Sequence, residues 1–324
     1  MSFPTLPQTI AVIGTGTIGA SWATLFLGAG LSVRASDPGA GAEAKLREFI
    51  RAAWPSMEAL GQTSGRSAGD ALAALAFFAT PEEAATGADL VQENAPERIE
   101  IKRETYAKLE SALAPDVVIA SSTSGIMPSE LQAEMTHPER LVVGHPFNPP
   151  HLVPLVEVVP GKLTSGAAVE AAMAFYKAVG KVPIKLNREM IGHIANRLQA
   201  AVLRESVYLA REGVASMQDI DLAASMGPGQ RWAFIGQGKI FALAGGVGGM
   251  GHFLDHLGEA VETWWDDLGD ARLDPETRAM LTEAYGTPTE ESFAKDVAFR
   301  DAALLRRLKA LSEDAEGESP EQGA

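Results

Sequence analysis

The sequence predicts an α/β fold, a largely parallel sheet with helices on both faces, followed by a second domain that is all helical. Three observations carry this reading. The apolar segment Ile10-Ala11-Val12-Ile13 runs directly into Gly14-Thr15-Gly16-Thr17-Ile18-Gly19. Strand-like and helix-like segments then alternate to about residue 187, after which the helical period takes over. A length of 324 residues also exceeds the usual span of one core, which agrees with two domains.

The first elements form a βαβ unit: a strand ending at Ile13, a helix over 18–30, and a second strand over 31–36 closed by Asp37. This is the Rossmann-type dinucleotide fingerprint, and each part has a mechanical task. Gly14 permits the tight turn, Gly16 lets backbone approach a pyrophosphate, and Gly19 lets the helix pack on the sheet. Thr17 and Ile18 open that helix, whose N-terminal N–H groups and dipole favour a phosphate. Asp37 accepts hydrogen bonds from the ribose hydroxyls of the adenosine half and repels a 2′-phosphate. Pro38-Gly39-Ala40-Gly41-Ala42 brings no cation to offset that repulsion, so NAD is expected over NADP.

The remaining elements follow in order. An amphipathic helix is expected over 43–60, a polar loop over 63–69, strands over 76–79 and 89–93, a helix over 99–113, and a strand over 117–121. Strands over 141–145 and 153–159, a helix over 166–179 and a last strand over 181–186 complete the sheet. A long helix over 191–212 opens the second domain. The expected division is 1–187 for NAD binding, 188–311 for a helical substrate and dimerisation domain, and 312–324 for a disordered acidic tail.

Composition narrows the function. A formal net charge of −15 argues against nucleic acid or an anionic membrane as partner, so an acidic substrate must meet a local cation. The absence of cysteine excludes disulfides, thiolate metal sites and a cysteine nucleophile. His252 and His256 form an i, i+4 pair without the Glu of a His-Glu-x-x-His motif, and no metal is expected. No leader and no run near the roughly 18 apolar residues of a membrane span is evident, and a cytoplasmic protein is expected.

An NAD enzyme that acted on a secondary alcohol would require a base that works near neutral pH. His145, at the end of a strand, stands at the sheet edge where open α/β folds bind ligands. Glu157, read as the end of a neighbouring strand, would hold the imidazole tautomer and stabilise imidazolium. Ser124 and Asn196 would hydrogen bond with the substrate oxygen.

Four blocks carry a family resemblance: Ser121-Ser122-Thr123-Ser124-Gly125, Gly144-His145-Pro146-Phe147-Asn148-Pro149-Pro150, Pro154-Leu155-Val156-Glu157-Val158-Val159 and Gly192-His193-Ile194-Ala195-Asn196-Arg197-Leu198. In order and spacing they resemble the 3-hydroxyacyl-CoA dehydrogenase superfamily, and within it the lambda-crystallin and L-gulonate 3-dehydrogenase group, with carnitine dehydrogenases as close relatives. The resemblance implies the same roles for Ser124, His145, Glu157 and Asn196. It places Glu97 and Lys102 beside the nicotinamide ribose and implies a homodimer formed through the helical domain. It also leaves open a non-catalytic, NAD-binding structural protein, since the group includes lens proteins.

Arg231, in Gly227-Pro228-Gly229-Gln230-Arg231-Trp232, departs from the acyl-CoA enzymes and offers a planar fork for a free carboxylate; the alternative is a structural arginine. A CoA thioester would need a basic landing strip, and the 43–60 helix supplies only Lys45, Arg47 and Arg51. The expected reaction is oxidation of a short free L-3-hydroxy acid, L-gulonate first and L-carnitine as the alternative, with a 3-hydroxyacyl-CoA less favoured. Trp232, Phe234, Phe241, Trp264 and Trp265, with Asp266 and Asp267, form either a site for the trimethylammonium group of carnitine or ordinary core and dimer contacts.

Overall fold

The computed structural model describes residues 6–317. Within the first unit the chain alternates β1 (Thr9–Ile13), α1 (Thr17–Gly28), β2 (Ser32–Ser36), α2 (Ala42–Ala59), α3 (Ala68–Ala73), β3 (Leu75–Phe78), α4 (Pro81–Ala85), β4 (Leu90–Glu93), α5 (Ile99–Ala112), β5 (Val118–Ser121), α6 (Pro128–Gln132), β6 (Leu141–Pro146), β7 (Leu155–Pro160), α7 (Gly166–Ala178) and β8 (Val182–Lys185). The strands form one eight-stranded sheet in the order β3-β2-β1-β4-β5-β6-β7-β8. Strand order reverses between β1 and β4, which defines the topological switch point where such sheets take ligands.

Alternating side chains feed two cores. Ile10 and Val12 join Trp22, Phe26, Leu46, Trp54 and Phe175 on one face, while Ala11 and Ile13 join Ala85, Tyr106, Leu109 and Leu131 on the other. The strands β1 to β6 all run parallel to one another, whereas β7 runs antiparallel to β6. Residues 147–154 between them are too few for a crossover helix, which sets that direction. Glu157 is therefore near the beginning of its strand, not at its end as expected, and antiparallel pairing is what returns it to the edge that holds His145.

The second unit comprises residues 195–298 and contains α8 (Ala195–Arg211), α9 (Met217–Met226), α10 (Pro228–Trp232), α11 (Gln237–Ala244), α12 (Gly249–Asp267), α13 (Pro275–Tyr285) and the start of α14 (Glu290–Gly317). Chain contacts divide the molecule after Ile194, later than the expected 187, and return residues 299–317 to the first unit. The physical reason for the first shift is polar anchoring of 188–194: Glu189 accepts from Ser129 N–H and hydroxyl at 2.9 and 2.7 Å, and Ile194 N–H donates to Glu157. The long helix begins at Ala195, not at 191, because Gly192 and His193 have φ of 72° and 51°, which no right-handed helix accommodates. The acidic tail expected from Ser312 starts inside α14, whose Ala- and Glu-rich end continues the helix to Gly317. Residues 318–324 lie outside the described residues.

Candidate active site

The glycine fingerprint meets two different physical demands. A Cβ on Gly14 would lie 2.6 Å from the Asn94 carbonyl oxygen, and one on Gly19 would lie 1.9 Å from the Gly14 carbonyl oxygen, so both close the turn by contact. A Cβ on Gly16 would meet no chain atom within 4 Å. Packing alone gives no reason for glycine there, whereas close approach of a phosphate does. The N-terminus of α1, where Thr17 and Ile18 follow, has no side-chain cap, which suits an anion. Asp37 Oδ2 accepts from Thr15 N–H and Oδ1 from Gly39 N–H, both at 2.7 Å. These bonds fix the carboxylate at the end of β2 and leave each oxygen a second lone pair for a ribose hydroxyl. The residues present fit NAD.

His145 and Glu157 are directly opposed across the β6–β7 ladder. His145 Nδ1 lies 2.9 Å from Glu157 Oε2, which assigns the hydrogen to Nδ1 and leaves Nε2 as the basic nitrogen. Glu157 is fully buried and His145 is 6% exposed. The second oxygen of Glu157 accepts from Ile194 N–H at 2.8 Å. This is a base with a fixed tautomer and an oriented carboxylate behind it, the arrangement that proton abstraction from an alcohol needs.

Glu97 organises the neighbouring loop. Its Oε1 accepts from the Thr123 hydroxyl at 2.5 Å and from the N–H groups of Ser124 and Gly125 at 3.0 and 2.9 Å. Burial opposes its charge, yet these hydrogen bonds and Lys102 prevail and hold its carboxyl below the usual range. Ser124 itself is exposed.

Lys102 lies deeper than Glu97. It is 1% exposed against 42% for Glu97, from whose Oε2 it stands 3.7 Å. Its closest partner is Glu93, at 2.8 and 3.2 Å, and the Ala95 carbonyl takes a further bond at 3.1 Å. Glu93 was not among the expected site residues. Its carboxylate also receives the hydroxyls of Tyr106 and Ser121, each at 2.7 Å. Burial, then Glu93, raises the Tyr106 hydroxyl well above its ordinary pKa, so it remains a donor. A Glu ending an apolar strand, with Lys102 and Tyr106 a helical turn apart, was the available signal.

Asn196 and Arg231 belong to the helical unit. Asn196 is the second residue of α8 and half-buried, and Arg231 is exposed on α10. Trp232, Phe234, Trp264 and Trp265 are exposed as well, so none of them is a core residue of this unit. Among the described residues, no group of three or more His, Cys, Asp or Glu is placed to hold a metal ion, and no helix is long and apolar enough to cross a membrane.

Residues 9–190 match the model of the 3-hydroxyacyl-CoA dehydrogenase NAD-binding domain, and residues 192–294 match that of its C-terminal domain. The chain belongs to the 3-hydroxyacyl-CoA dehydrogenase family. It is an NAD-dependent hydroxy acid dehydrogenase. Among curated relatives of this family member, an L-carnitine dehydrogenase from Nocardiopsis dassonvillei is 45% identical, with 98% of this chain and 96% of that protein covered. An L-carnitine dehydrogenase from Pseudomonas aeruginosa is 43% identical over 97% of each chain. Among solved structures, 5-formyl-3-hydroxy-2-methylpyridine 4-carboxylic acid 5-dehydrogenase, an NAD-dependent dismutase, superposes with a TM-score of 0.83 at 30% identity, covering 94% of this chain and 98% of that one.

Proposed function

We propose that this dehydrogenase oxidises the 3-hydroxyl of L-carnitine to the 3-keto acid. The observation that carries the substrate is the near full-length identity to proteins named L-carnitine dehydrogenase, which favours that alternative over L-gulonate. The absence of a continuous basic strip on α2, where Arg47 is engaged with Glu43 at 2.8 Å, supports a free acid over a CoA thioester.

In this reading NAD, when bound, supplies the hydride acceptor. His145 Nε2 takes the hydroxyl proton as the carbinol carbon becomes a carbonyl, and Glu157 stabilises the imidazolium through Nδ1–H. Ser124 and Asn196 hydrogen bond with the substrate oxygen, and Arg231 pairs with the carboxylate. Glu97 stays ionised and holds the loop that carries Ser124. Gly14, Gly16, Thr17, Ile18, Gly19 and Asp37 receive the adenosine and pyrophosphate half of the cofactor, with Glu97, backed by Lys102, at the nicotinamide ribose. The subunits pair through the helical unit, and the enzyme works in the cytoplasm.

The test is a scan of L-carnitine, L-gulonate, 3-hydroxybutyrate and a 3-hydroxyacyl-CoA with NAD, followed by NADH absorbance. L-Carnitine is expected to give the highest kcat/KM. A higher value for L-gulonate or the thioester overturns the substrate, and NAD binding with no turnover of any hydroxy acid favours a structural protein.

A further inference from the structure

Lys181, immediately before β8, is a buried cation with no part in the scheme above. It is 5% exposed. Its Nζ donates to the carbonyls of Pro150 and Val153, in the segment that joins β6 to β7, and lies 5.4 Å from the centroid of the Trp22 ring. Burial draws its pKa from 10.5 down to about 7, with no carboxylate among the described residues to offset it. The two contacts survive loss of a proton, because a neutral amine keeps two N–H groups for two carbonyls. An amine buried at such a cost without a counter-charge needs a reason in what it holds.

What it holds is the open end of the dyad hairpin. His145 and Glu157 form the last pair but one of the β6–β7 ladder, and beyond them only Pro146 faces Val156. Proline has no N–H for the ladder, so the rung outside the dyad is weak. The chain then runs through 147–154 before β7 begins. The Phe147 ring meets that of His145 at a steep angle, with centroids 5.6 Å apart. Further along, the N–H groups of Leu152 and Val153 turn back to the Pro149 carbonyl, each at 2.9 Å, and the His151 N–H goes to Ser21. The Pro150 and Val153 carbonyls have Lys181 as their donor. His151, Leu152, Pro154 and Lys181, with Leu25 and Leu308, also border a cavity of about 100 Å³, so packing on that side of the segment is incomplete.

One amine thus closes a hairpin that its own terminal rung does not. We propose that Lys181 is a positioning residue for proton abstraction: by drawing in the Pro150 and Val153 carbonyls it stops the β6–β7 hairpin from fraying and holds His145 opposite Glu157. Loss of this clip leaves one buried and one part-buried carbonyl without a donor, and the segment relieves them by moving toward water. Phe147 then leaves the His145 ring and the Nδ1–H bond to Glu157 lengthens, which slows the chemical step and leaves the glycine fingerprint in place. The inference rests on the reading of His145 and Glu157 as the proton-handling pair.

The test follows NADH formation in a single turnover of L-carnitine, or of the hydroxy acid that the substrate scan selects, with NAD saturating and the full chain throughout. Lys181→Met removes the donors at similar volume. Lys181→Arg keeps them, with the adjoining cavity to take the larger head. Arg66→Met is the control: it removes a donor to the Leu27, Gly30 and Leu31 carbonyls at the C-terminal end of α1 and costs stability away from the dyad. NADH titration and urea unfolding check that each variant is folded. In Lys181→Met the single-turnover rate is expected to fall on the order of tenfold, with NADH affinity held within about twofold and the pH profile changed as in Glu157→Gln. Lys181→Arg recovers most of the rate. Should Lys181→Met not fold, Lys181→Gln is read in its place. A rate within about twofold of the unmodified enzyme overturns the inference. An equal loss in Arg66→Met, or a loss that Lys181→Arg leaves unrelieved, overturns it too and makes Lys181 a support of the fold alone. Near-normal rates in His145→Ala would instead remove the dyad, and this inference with it.

Discussion

The backbone N–H of Ile194 donates to Glu157 Oε1 at 2.8 Å, while Oε2 of the same carboxylate holds His145 at 2.9 Å. The orienting group of the dyad is therefore fixed from two directions, by the opposite strand and by the segment that precedes α8. Removing the base while leaving this frame in place tests the chemistry. His145→Ala is expected to lower kcat by at least about 10²-fold with NADH affinity retained, the scale of a lost general base. Glu157→Gln should slow turnover and change the pH profile. Near-normal rates in His145→Ala would refute the dyad.

Cofactor choice depends on Asp37, held by Thr15 and Gly39. Fluorescence titration should show far tighter binding of NADH than of NADPH, and Asp37→Ala should weaken NADH and narrow the difference. Equal affinities in the unmodified protein would remove the ribose assignment.

Arg231 separates free acids from masked ones. With L-carnitine, Arg231→Met is expected to lower kcat/KM by roughly 30-fold, whereas the methyl ester should lose much less. Equal losses on acid and ester would make Arg231 structural.

His151 predicts an acid-sensitive fold. Its Nδ1 lies 2.7 Å from Ser21 Oγ, which itself accepts the His151 N–H at 2.8 Å, so the serine hydrogen goes to a neutral ring. Burial above all pushes the His151 pKa from 6.5 down to about 4. Between those values the unfolded chain binds the extra proton, so stability rises with pH there and is lost as pH falls from 6.5 toward 4. The full effect is about 3 kcal/mol. Urea unfolding at both ends of the window should show a smaller acid loss for His151→Gln than for the unmodified protein; identical losses would exclude His151 as the source.

The helical unit exposes Leu198, Leu203, Leu254, Trp264 and Trp265. Burial of this surface between two copies predicts a homodimer, and light scattering that finds only monomer at working concentration would exclude it.

Much of this molecule could be read from residue order. The fingerprint, Asp37 and the apolar runs placed the strands within a residue or two, because Gly and Pro punctuation and strong alternation are local signals. The short helices α4 and α6 were not read, since five residues carry too little periodicity. Strand direction was missed at β7, although the span of 147–154 contained the clue. Glu93 was hidden for another reason: its partners Lys102, Tyr106 and Ser121 meet only once α5 and β5 have packed. The left-handed turn at 192–193 carried one local signal, Gly192, the residue type that takes positive φ without cost, whereas the continuation of that turn through His193 did not show in the sequence.

The β6–β7 pairing also bears on how such a chain can change over generations. Its proton-handling pair is contained in one hairpin, so residues 141–160 form a unit that inheritance or a loop exchange can carry whole. Arg231, proposed to read the carboxylate of the substrate, is encoded well downstream of it. A lineage can thus revise which hydroxy acid it accepts by drift in the later segment, with the acid–base device left untouched.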